Sequence, residues 1–484
     1  MSVIFGSLLA IVSFVFLISI VVVIHELGHY WAGRWCGVHA EAFSMGFGPT
    51  MFSWRDKNGT VWRIAALPIG GYVKFLGDAG AASEPDSEKL KELRERMGDA
   101  SDKCYHFKPI WQRAFITAAG PIANFILAIF IFAVMALSFG DRFNEPVVGS
   151  ISSGTPAETA GFEVYDRIVS INGMRIRDFS DIAREAVWRP GEELNFQVQR
   201  GDEMITIRAA AELVTVQDRF GGERQFAQVG LGSSSIPMIG RIEPGGAAEM
   251  AGFMSRDVVL SVDGQPIRVF QDIERAVEAN PGERLTYVVR RGEEELTLRA
   301  ALPFRDRETL MQGQGQGMIG SITMASAGAM ETYQSYNPVT ALIRGADRTW
   351  GVVYMTARYV SYVVTLRSPP TMLNGPLGIA ETAGQMAQTS IEQGRSAAES
   401  AFLWLVNMIL LAAFLSVGLG LVNLLPIPIL DGGHLVYYAY EAVARRPLSM
   451  KAQQLGFQLG LALVLGMMLL ATWNDINYKL SQWF

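Results

Sequence analysis

Long apolar stretches alternate with polar regions along the chain. Four stretches are apolar over about 20 residues or more, enough for a helix to cross the hydrocarbon core of a bilayer. They lie at residues 3–24, 114–139, 401–425 and 455–473. The pattern therefore predicts four transmembrane helices, with one large polar insert at about residues 140–399 between the second and the third.

The overall composition agrees with a membrane protein that carries a soluble insert. Hydrophobic residues make up 50% of the chain, charged residues make up 18%, and the mean hydropathy is +0.21. The net charge of −6 indicates no nucleic-acid partner. The first apolar stretch has neither a basic segment before it nor a small-x-small site at its end, so we expect a retained helix and no cleaved signal peptide.

Basic residues are distributed unevenly between the connections. Many follow the first apolar stretch, and Arg445, Arg446 and Lys451 lie between the last two, whereas none precedes the first. Because Lys and Arg concentrate on the cytoplasmic side of membrane proteins, both connections are predicted to be cytoplasmic. The termini and the insert then face the opposite side. Cys36 and Cys104 fall on the cytoplasmic side, so no structural disulfide is expected.

The insert contains an internal repeat. A gapless shift places Ala160-Gly161-Phe162 on Ala251-Gly252-Phe253 and Asp166 on Asp257. Each copy is predicted to contain a short strand, a helical turn, a hairpin, a helix and further strands. Asn172-Gly173 and Asp263-Gly264 carry the type I′ hairpin signature. Two copies are too few for a solenoid, so we predict tandem α+β domains at residues 140–215 and 230–303.

The two copies resemble PDZ domains in the arrangement found in bacterial proteases. Such a domain can add an extended peptide to a sheet edge beside its helix. The alternative is a rigid spacer that only blocks access. Residues 304–398 are predicted to form a linker with a flexible join at 312–317 and an amphipathic helix within 332–366. That helix would lie on the membrane surface or pack against the second copy.

The segment His25-Glu26-Leu27-Gly28-His29 directly follows the first apolar stretch. On a helix, His25 and His29 lie one turn apart on the same face, where two imidazoles can bind one zinc ion. Glu26 is then placed to take a proton from the attacking water. The alternative is an ordinary membrane anchor capped by polar residues. Because charged and polar side chains beside hydrocarbon are costly unless they are used, we favour the metal site.

A third protein ligand is expected, since catalytic zinc sites usually have three. Pro426 and Pro428 cannot continue a regular helix, so the chain is predicted to unwind there. Unwound backbone at membrane depth is tolerated where it lines a cavity. Asp431 follows this break and can turn toward the two histidines, whereas we expect His434 to lie beside the site or at the membrane interface. A structural alternative makes Asp431 a helix N-cap.

Several motifs occur in a characteristic order. They are His25–His29, Gly120-Pro121-Ile122-Ala123-Asn124, the two repeat copies and residues 423–433. In this combination the chain resembles, over essentially its whole length, the site-2 protease family of zinc intramembrane metalloproteases, in the RseP type of Gram-negative bacteria. The resemblance implies a zinc cofactor with His25, His29 and Asp431 as ligands and Glu26 as the catalytic base.

The resemblance also implies a location and a class of substrate. The protein would be a multi-pass protein of the bacterial inner membrane, with periplasmic termini and PDZ-like domains and an active site near the cytoplasmic side of the bilayer. Its substrates would be single-pass membrane proteins that have already been trimmed in the periplasm. Anti-sigma factors of envelope-stress pathways and signal-peptide remnants are typical of the family. The PDZ pair would act as a size gate.

Substrate binding is expected on two sides of the site. The resemblance implies that Asn423, Pro426 and Pro428 help to hold an unwound substrate. Either Asn124 or Asn423 would donate hydrogen bonds to the substrate backbone or to the oxyanion. On the other side, Gly46-Phe47-Gly48 matches a family strand that dips into the membrane, where an edge strand would capture the extended chain. An ordinary cytoplasmic hairpin is the alternative.

These expectations describe a polytopic α-helical membrane protein with four transmembrane helices, a membrane-associated β-hairpin region and two tandem periplasmic PDZ-like α+β domains. The charged stretch at residues 84–103 is expected to be a solvated helix or loop. The predicted boundaries are 1–36, 37–110, 111–139, 140–215, 230–303, 304–398, 399–425, 426–454, 455–473 and a periplasmic tail at 474–484.

Two other functions compete with proteolysis. A catalytically silent membrane scaffold that binds misfolded proteins through its PDZ copies would have no use for Glu26 beside three candidate ligands. A transporter is disfavoured, because the repeat lies outside the apolar stretches and the four stretches show no repeat of their own.

Overall fold

A computed structural model describes most of the chain. The described residues are 2–78, 95, 102–152, 154–187, 189–217, 223–242, 245–302, 324–326, 331–365 and 375–480. Most of the predicted charged stretch at 84–103 and the whole predicted join at 312–317 lie outside them. The chain divides into two compact units, one formed by Met1–Gly140 with Ser335–Phe484 and the other by Asp141–Gln334.

The first unit begins with two long helices, α1 (Ser2–Trp35) and α2 (Ile110–Phe139). Helix α1 contains no proline, so the histidine motif simply continues the apolar helix that precedes it. The two helices approach closely at Gly28, where a Cβ atom would lie 2.3 Å from the carbonyl oxygen of Ala119. A side chain at Gly28 would therefore push the two helices apart.

Between these helices, β1 (Ala40–Arg55) and β2 (Val61–Phe75) form a small sheet. Strand β1 bends at Gly46 and Gly48, whose φ angles of 95° and 89° favour glycine. It therefore pairs with β2 in three places: residues 50–55 with 61–65, residues 42–45 with 61–64, and residues 40–45 with 71–75. Within the described part of the chain, no further strand pairs with the outer side of residues 71–75.

The second unit contains the repeat. The first copy consists of β3 (Asp141–Asn144), β4 (Val148–Ile151), α3 (Pro156–Thr159), β5 (Arg167–Ile171), β6 (Met174–Arg175), α4 (Phe179–Val187), β7 (Glu193–Arg200), β8 (Glu203–Ala210), β9 (Glu212–Gln217), β10 (Glu223–Gln228) and β11 (Leu231–Ser233). Strand β11 closes this copy by pairing with β4. The predicted boundaries at 215 and 230 are therefore wrong, because a strand after the β9–β10 hairpin returns to the start of the copy.

The second copy repeats the same topology. It consists of β12 (Ile239–Ile242), α5 (Ala247–Met250), β13 (Val258–Val262), β14 (Gln265–Pro266), α6 (Phe270–Ala279), β15 (Leu285–Arg291), β16 (Glu294–Ala300) and β17 (Met324–Ser326), followed by β18 (Glu331–Gln334). The four-stranded sheets have the orders β6-β5-β7-β8 and β14-β13-β15-β16. Strand β17 pairs with β12, so this copy extends beyond its predicted end at 303.

The predicted type I′ hairpins are present in both copies. Asn172 and Asp263 have φ angles of 50° and 45°, and the glycines that follow them also have positive φ. Each copy encloses its own apolar core, centred on Phe196 in the first and on Tyr287 in the second. Finally, β18 pairs with β3, so the two ends of the insert lie side by side.

The chain then returns to the first unit with five helices. They are α7 (Pro338–Val364), α8 (Pro376–Gln393), α9 (Ala397–Asn423), α10 (Asp431–Ala444) and α11 (Met450–Leu480). The predicted amphipathic helix corresponds to α7, which packs against α2, a partner that neither alternative had named. Helix α8 was not predicted. It packs between α1 and α9, with Ala383 and Ala387 fully buried.

The prediction of four membrane-spanning helices is confirmed by length and composition. The candidate spans within the described residues are Leu9–Trp35, Ile110–Phe139, Ala397–Asn423 and Lys451–Trp473. Helix α11 continues to Leu480, beyond the end of its candidate span at Trp473. The N-cap alternative for Asp431 is also wrong, since Leu430 occupies the N-cap position of α10 and Asp431 lies in its first turn.

Candidate metal centre and active site

Three side chains from two distant parts of the chain converge in the first unit. His25 and His29 project from the same face of α1, and their Nε2 atoms lie 3.2 Å apart. The Oδ2 atom of Asp431, at the start of α10, lies 3.3 Å from Nε2 of His25 and 3.5 Å from Nε2 of His29. Among the described residues, these three form the one group of His, Cys, Asp or Glu side chains close enough to hold a metal ion.

The triangle of donor atoms has the size that a zinc ion requires. Tetrahedral coordination with zinc–ligand distances of about 2.0–2.1 Å separates neighbouring ligand atoms by about 3.3–3.4 Å. The three edges observed here are 3.2, 3.3 and 3.5 Å. Two imidazoles and one carboxylate are also a usual donor set for catalytic zinc. The spacing of the three donor atoms therefore fits a zinc ion.

Helix α2 shapes the space behind the two histidines. The Nδ1 atom of His29 lies 2.8 Å from the carbonyl oxygen of Ile116, so it carries the proton and leaves Nε2 free for a metal. Gly120 follows one turn later, and a Cβ atom there would lie 2.2 Å from Nε2 of His29. The glycine in the Gly120–Asn124 motif is thus required because the imidazoles occupy the place of its side chain.

Asp431 reaches the histidines through the predicted helix break. Helix α9 ends at Asn423, and α10 begins only at Asp431. The two glycines that follow allow the tight return, since a Cβ atom at Gly432 would lie 2.3 Å from the carbonyl oxygen of Leu425 and one at Gly433 would lie 2.3 Å from that of Ile427. The Leu-Asp-Gly-Gly sequence therefore combines a ligand with a backbone that can fold back on the break.

The carboxyl of Asp431 is held in its charged form. Burial alone would raise the pKa of Asp431, but the charges and hydrogen bonds of His29 and His25 outweigh burial and lower the pKa below its ordinary value. A carboxylate that stays ionised is what metal ligation requires. His434, the predicted competitor, lines the neighbouring cavity with its ring edge toward Tyr437 and does not join the group of three.

Contacts that the sequence analysis missed hold α10 in place. The Tyr438 hydroxyl lies 2.6 Å from that of Tyr105, which in turn lies 2.9 Å from Oγ1 of Thr117 on α2. Burial and the neighbouring Tyr438 raise the pKa of Tyr105 well above its ordinary value, so its hydroxyl stays protonated. An ion pair between Arg113 and Glu441, 2.8 Å long, adds a second link between α2 and α10. No local pattern marks these pairs, because each joins residues far apart in sequence.

Glu26 lies next to the three donor atoms but is not one of them. Its carboxylate hydrogen-bonds to the backbone of Val73 in β2. A Cβ atom at Gly71 would lie 3.3 Å from Cγ of Glu26, so this part of β2 passes directly beside the glutamate. A base placed beside, and not within, the donor set is free to exchange protons.

A cavity of about 440 Å³ opens onto these groups. Glu26, His25, His29 and Asp431 line it together with residues 70–73 of β2 and the side chains of Phe47, Phe75, Tyr105, Thr117, Asn423 and His434. Of the predicted substrate-binding residues, Phe47 and Asn423 line the cavity, and Gly46, Gly48, Asn124, Pro426 and Pro428 are not part of its lining. Residues 70–73 also line the cavity, although no local pattern singles them out, and Gly71 and Val73 among them lie beside Glu26.

The remaining predicted residues have other surroundings. Pro428 packs against α11, where Cβ atoms at Gly456 and Gly460 would lie 3.4 Å and 3.3 Å from its ring. Pro426 lies in the break and is exposed. Asn124 is fully buried on α2, with Nδ2 3.2 Å from Nδ1 of His25. Asn423 lies on the opposite side of the same ring, with Nδ2 3.4 Å from Nε2.

Comparison with known proteins places these observations in a family. The sequence pattern of peptidase family M50 matches residues 13–467. The metalloprotease MmpA of Caulobacter vibrioides is 36% identical over 477 residues, covering 98% of this chain and 96% of the relative. The protease RseP of Yersinia pestis is 31% identical over 479 residues, covering 97% and 98%. The regulator of sigma E protease of Salmonella typhi is 28% identical over 477 residues, covering 96% and 98%.

These matches extend over nearly the whole chain, and they include the residues that form the donor group, the base and the four apolar helices. They remove the alternative of a catalytically silent scaffold. The chain belongs to peptidase family M50, the site-2 proteases, and is a zinc-dependent membrane metalloendopeptidase.

Proposed function

We propose that this protein hydrolyses peptide bonds within the transmembrane segments of single-pass membrane proteins after their periplasmic parts have been trimmed. The observation that carries the proposal is the position of the histidine motif inside a candidate membrane span, Leu9–Trp35. At 1.5 Å per residue, His25 lies about 15 Å along the helix axis before Trp35. The scissile bond must therefore enter the apolar layer to reach the donor group.

The proposed roles follow from the geometry. His25, His29 and Asp431 would hold a zinc ion, which when bound would polarise the scissile carbonyl and activate water. Glu26 takes a proton from the attacking water as its oxygen bonds to the carbonyl carbon. Glu26 then delivers that proton to the amine as the carbon–nitrogen bond breaks. The cavity beside Glu26 has room for an extended backbone.

We place substrate capture on the edge of β2. Within the described part of the chain, residues 71–75 pair with no further strand on their outer side, and Gly71 lies beside Glu26, so an unwound substrate segment can add to them as a further strand. This moves the capturing edge from the predicted Gly46-Phe47-Gly48 to the neighbouring strand, while Phe47 still lines the cavity. Asn423, which lines the cavity, would support the substrate from another side, and Pro426 and Pro428 would act only by maintaining the helix break.

The name of a relative, regulator of sigma E protease, supports an anti-sigma factor as the type of substrate, with signal-peptide remnants as a second type. The distribution of Lys and Arg supports a bacterial inner-membrane protein with both termini and the PDZ-like insert in the periplasm. The insert would then act as a size gate. It holds none of the five histidines, so it has no part in zinc binding.

The test of the chemistry compares Glu26→Gln with the wild type, in liposomes, on a single-pass substrate without its periplasmic domain. Cleavage is expected to fall by about 10²–10⁴-fold with unchanged zinc content, because the base is lost and the ligands remain. Glu392→Gln, an exposed carboxylate on α8, is the matched control and should cleave normally. Substantial cleavage by Glu26→Gln would overturn the mechanism.

The test of the gate uses two substrate lengths. The intact protein should cut the trimmed substrate and spare one that retains a folded periplasmic domain. Replacing Asp141–Gln334, the second compact unit, by a flexible linker should allow both to be cut, with Glu26 still essential. Equal rates on both substrates by the intact protein would show that no size gate operates.

A further inference from the structure

We propose that Asn124 is a positioning residue of the metal centre. Its side-chain oxygen accepts a hydrogen bond from Nδ1–H of His25 and so holds His25 in the tautomer that presents a free Nε2 lone pair to zinc. The inference deepens the proposed function, on whose ligand set it rests. It assigns Asn124 to the protein's own histidine, in place of the substrate or oxyanion role expected from the sequence.

The side chain of Asn124 sits behind the His25 ring. It is fully buried, and its amide lies 3.2 Å from Nδ1 of His25, on the side away from Asp431. The amide nitrogen faces the ring in the structure, while Oδ1 is buried without a hydrogen-bond partner. A half-turn of the amide exchanges its two atoms at the same positions. Oδ1 then faces the ring, and the buried oxygen gains the donor that it lacks.

The chemistry of the ring requires this exchange. A neutral imidazole carries one proton, on either Nδ1 or Nε2. If the amide nitrogen donated to Nδ1, the proton would sit on Nε2 and block the atom that lies 3.3 Å from Asp431. With the oxygen as acceptor, the proton sits on Nδ1 and Nε2 is available as a ligand.

One face of α2 then orients both histidines. The carbonyl of Ile116 accepts from Nδ1 of His29, Gly120 leaves room for the rings, and Asn124 serves His25. These three positions follow each other at intervals of one helical turn, which matches the one-turn spacing of His25 and His29 on α1. The Gly120–Asn124 motif can thus be understood as the second half of the zinc site.

Two other roles for Asn124 make different predictions. A residue that only fills space should tolerate leucine, which has a similar size, and should suffer from a buried aspartate. A residue that donates to the substrate should affect turnover and leave zinc affinity unchanged. A hydrogen-bond acceptor for Nδ1–H should tolerate aspartate, whose two oxygens both accept, and should not tolerate leucine.

The experiment measures zinc affinity by chelator competition on the purified full-length protein. Asn124→Leu is expected to lower the affinity by about 10–100-fold, the usual effect of removing a partner of a metal-bound histidine. Asn124→Asp should stay within a few-fold of wild type. The matched control is Asn407→Leu, which removes another membrane asparagine whose Nδ2 bonds Oγ of Ser390, away from the site, and should leave the affinity unchanged.

A second readout detects the Nδ1–H proton of His25 with zinc bound. With ¹⁵N-labelled histidine the chain contributes only five rings, so the ring N–H signals of His25 can be assigned. The Nδ1–H signal should be protected from exchange with water in wild type and should exchange faster in Asn124→Leu. The inference is overturned if Asn124→Leu keeps both wild-type affinity and wild-type protection of this proton, or if Asn124→Asp loses zinc as strongly as Asn124→Leu. Unchanged zinc affinity in His25→Gln would instead overturn the ligand set itself.

Discussion

Buried carboxylates occur in both units, but their partners differ in kind. In the insert, Asp166 and Asp257 are each bound by two nitrogens of one guanidinium, from Arg200 or Arg291, at 2.7–2.8 Å. In the membrane unit, Asp431 faces two imidazoles at 3.3 and 3.5 Å. Arginine is always charged and its fork matches a carboxylate, so these pairs are complete by themselves. Two imidazoles and a carboxylate still have lone pairs to offer to a cation.

Asp166 and Asp257 thus stabilise the fold of the insert, whereas Asp431 is available for chemistry. The same arginines also donate to the carbonyl oxygens of Gly161 and Gly252, so each pair belongs to a closed network that recurs in both copies. Asp431 instead follows a helix break and borders a cavity. Substitutions in the two groups should therefore change different quantities.

The largest effect is expected at Asp431. Asp431→Asn removes the negatively charged ligand, so zinc affinity should fall by more than about 100-fold. This exceeds the usual effect of removing a residue that only hydrogen-bonds to a metal ligand. Cleavage should fall with the zinc affinity. His434→Ala, one turn further along α10, is the control and should largely spare both. Zinc analysis of the two purified variants is the measurement. Loss of zinc in His434→Ala with retention in Asp431→Asn would reverse the assignment.

Asp257→Asn should lower the stability of the insert and leave the metal centre unchanged. Removing the charge leaves the partly exposed Arg291 without its ionic partner and weakens two hydrogen bonds to a charged group, which should destabilise the second copy by about 1.5–3 kcal/mol. Hydrogen exchange in β13 and β15 of the full-length protein measures this loss, and Asp202→Asn in an exposed turn is the control. Zinc affinity and cleavage of a trimmed substrate should not change. A parallel loss of zinc would mean that the two groups are not independent.

A further carboxylate, Glu274 on α6, should make the stability of the insert sensitive to pH. Burial raises the pKa of Glu274 to about 7. The charge of Arg275 opposes this rise, and the charge of Glu278 adds to it. Because the folded pKa lies above the ordinary value of 4.5, the stabilisation is complete below about pH 4.5 and is lost as the pH rises through 7. Between pH 5 and pH 8, the second copy should lose stability. The loss should be larger in wild type than in Glu274→Gln, by on the order of 2 kcal/mol. Equal pH slopes in hydrogen exchange would contradict the assignment.

The smallest effect is expected from the contacts that hold α10. Tyr438→Phe removes the hydroxyl that bonds Tyr105, a loss of about 1 kcal/mol, and should weaken zinc binding by roughly fivefold because Asp431 is held less firmly. Tyr440→Phe, whose side chain is more exposed, is the control. Chelator competition measures both variants. Wild-type affinity in Tyr438→Phe would show that the helix break alone places Asp431.

Features set by local patterns could be predicted from the sequence. The four apolar helices, the histidine motif, the type I′ hairpins and the break after Asn423 each depend on neighbouring residues, because hydrophobic length, one-turn spacing, turn chemistry and proline act over a few positions. Helix α8 was not predicted, because its sequence is less apolar than the four stretches that indicate membrane spans. Its polar positions are satisfied by other helices, as with Ser390 and Asn407. The closing strands β11 and β17 were not predicted, because the alternation of apolar and polar residues along a strand does not indicate which strand it pairs with.

By itself, the sequence determined the candidate zinc ligands on α1, the candidate carboxylate at Asp431, the four candidate membrane helices and the tandem repeat. Only the tertiary structure decided that Ile116 and Asn124 lie behind the two imidazoles, that Gly71 and Val73 lie beside Glu26, and that Tyr105 and Arg113 hold α10. The physical reason is that these contacts join residues remote in sequence. They depend on how closely α1, α2 and α10 pack, which glycines at positions 28, 120 and 432 permit but do not by themselves specify.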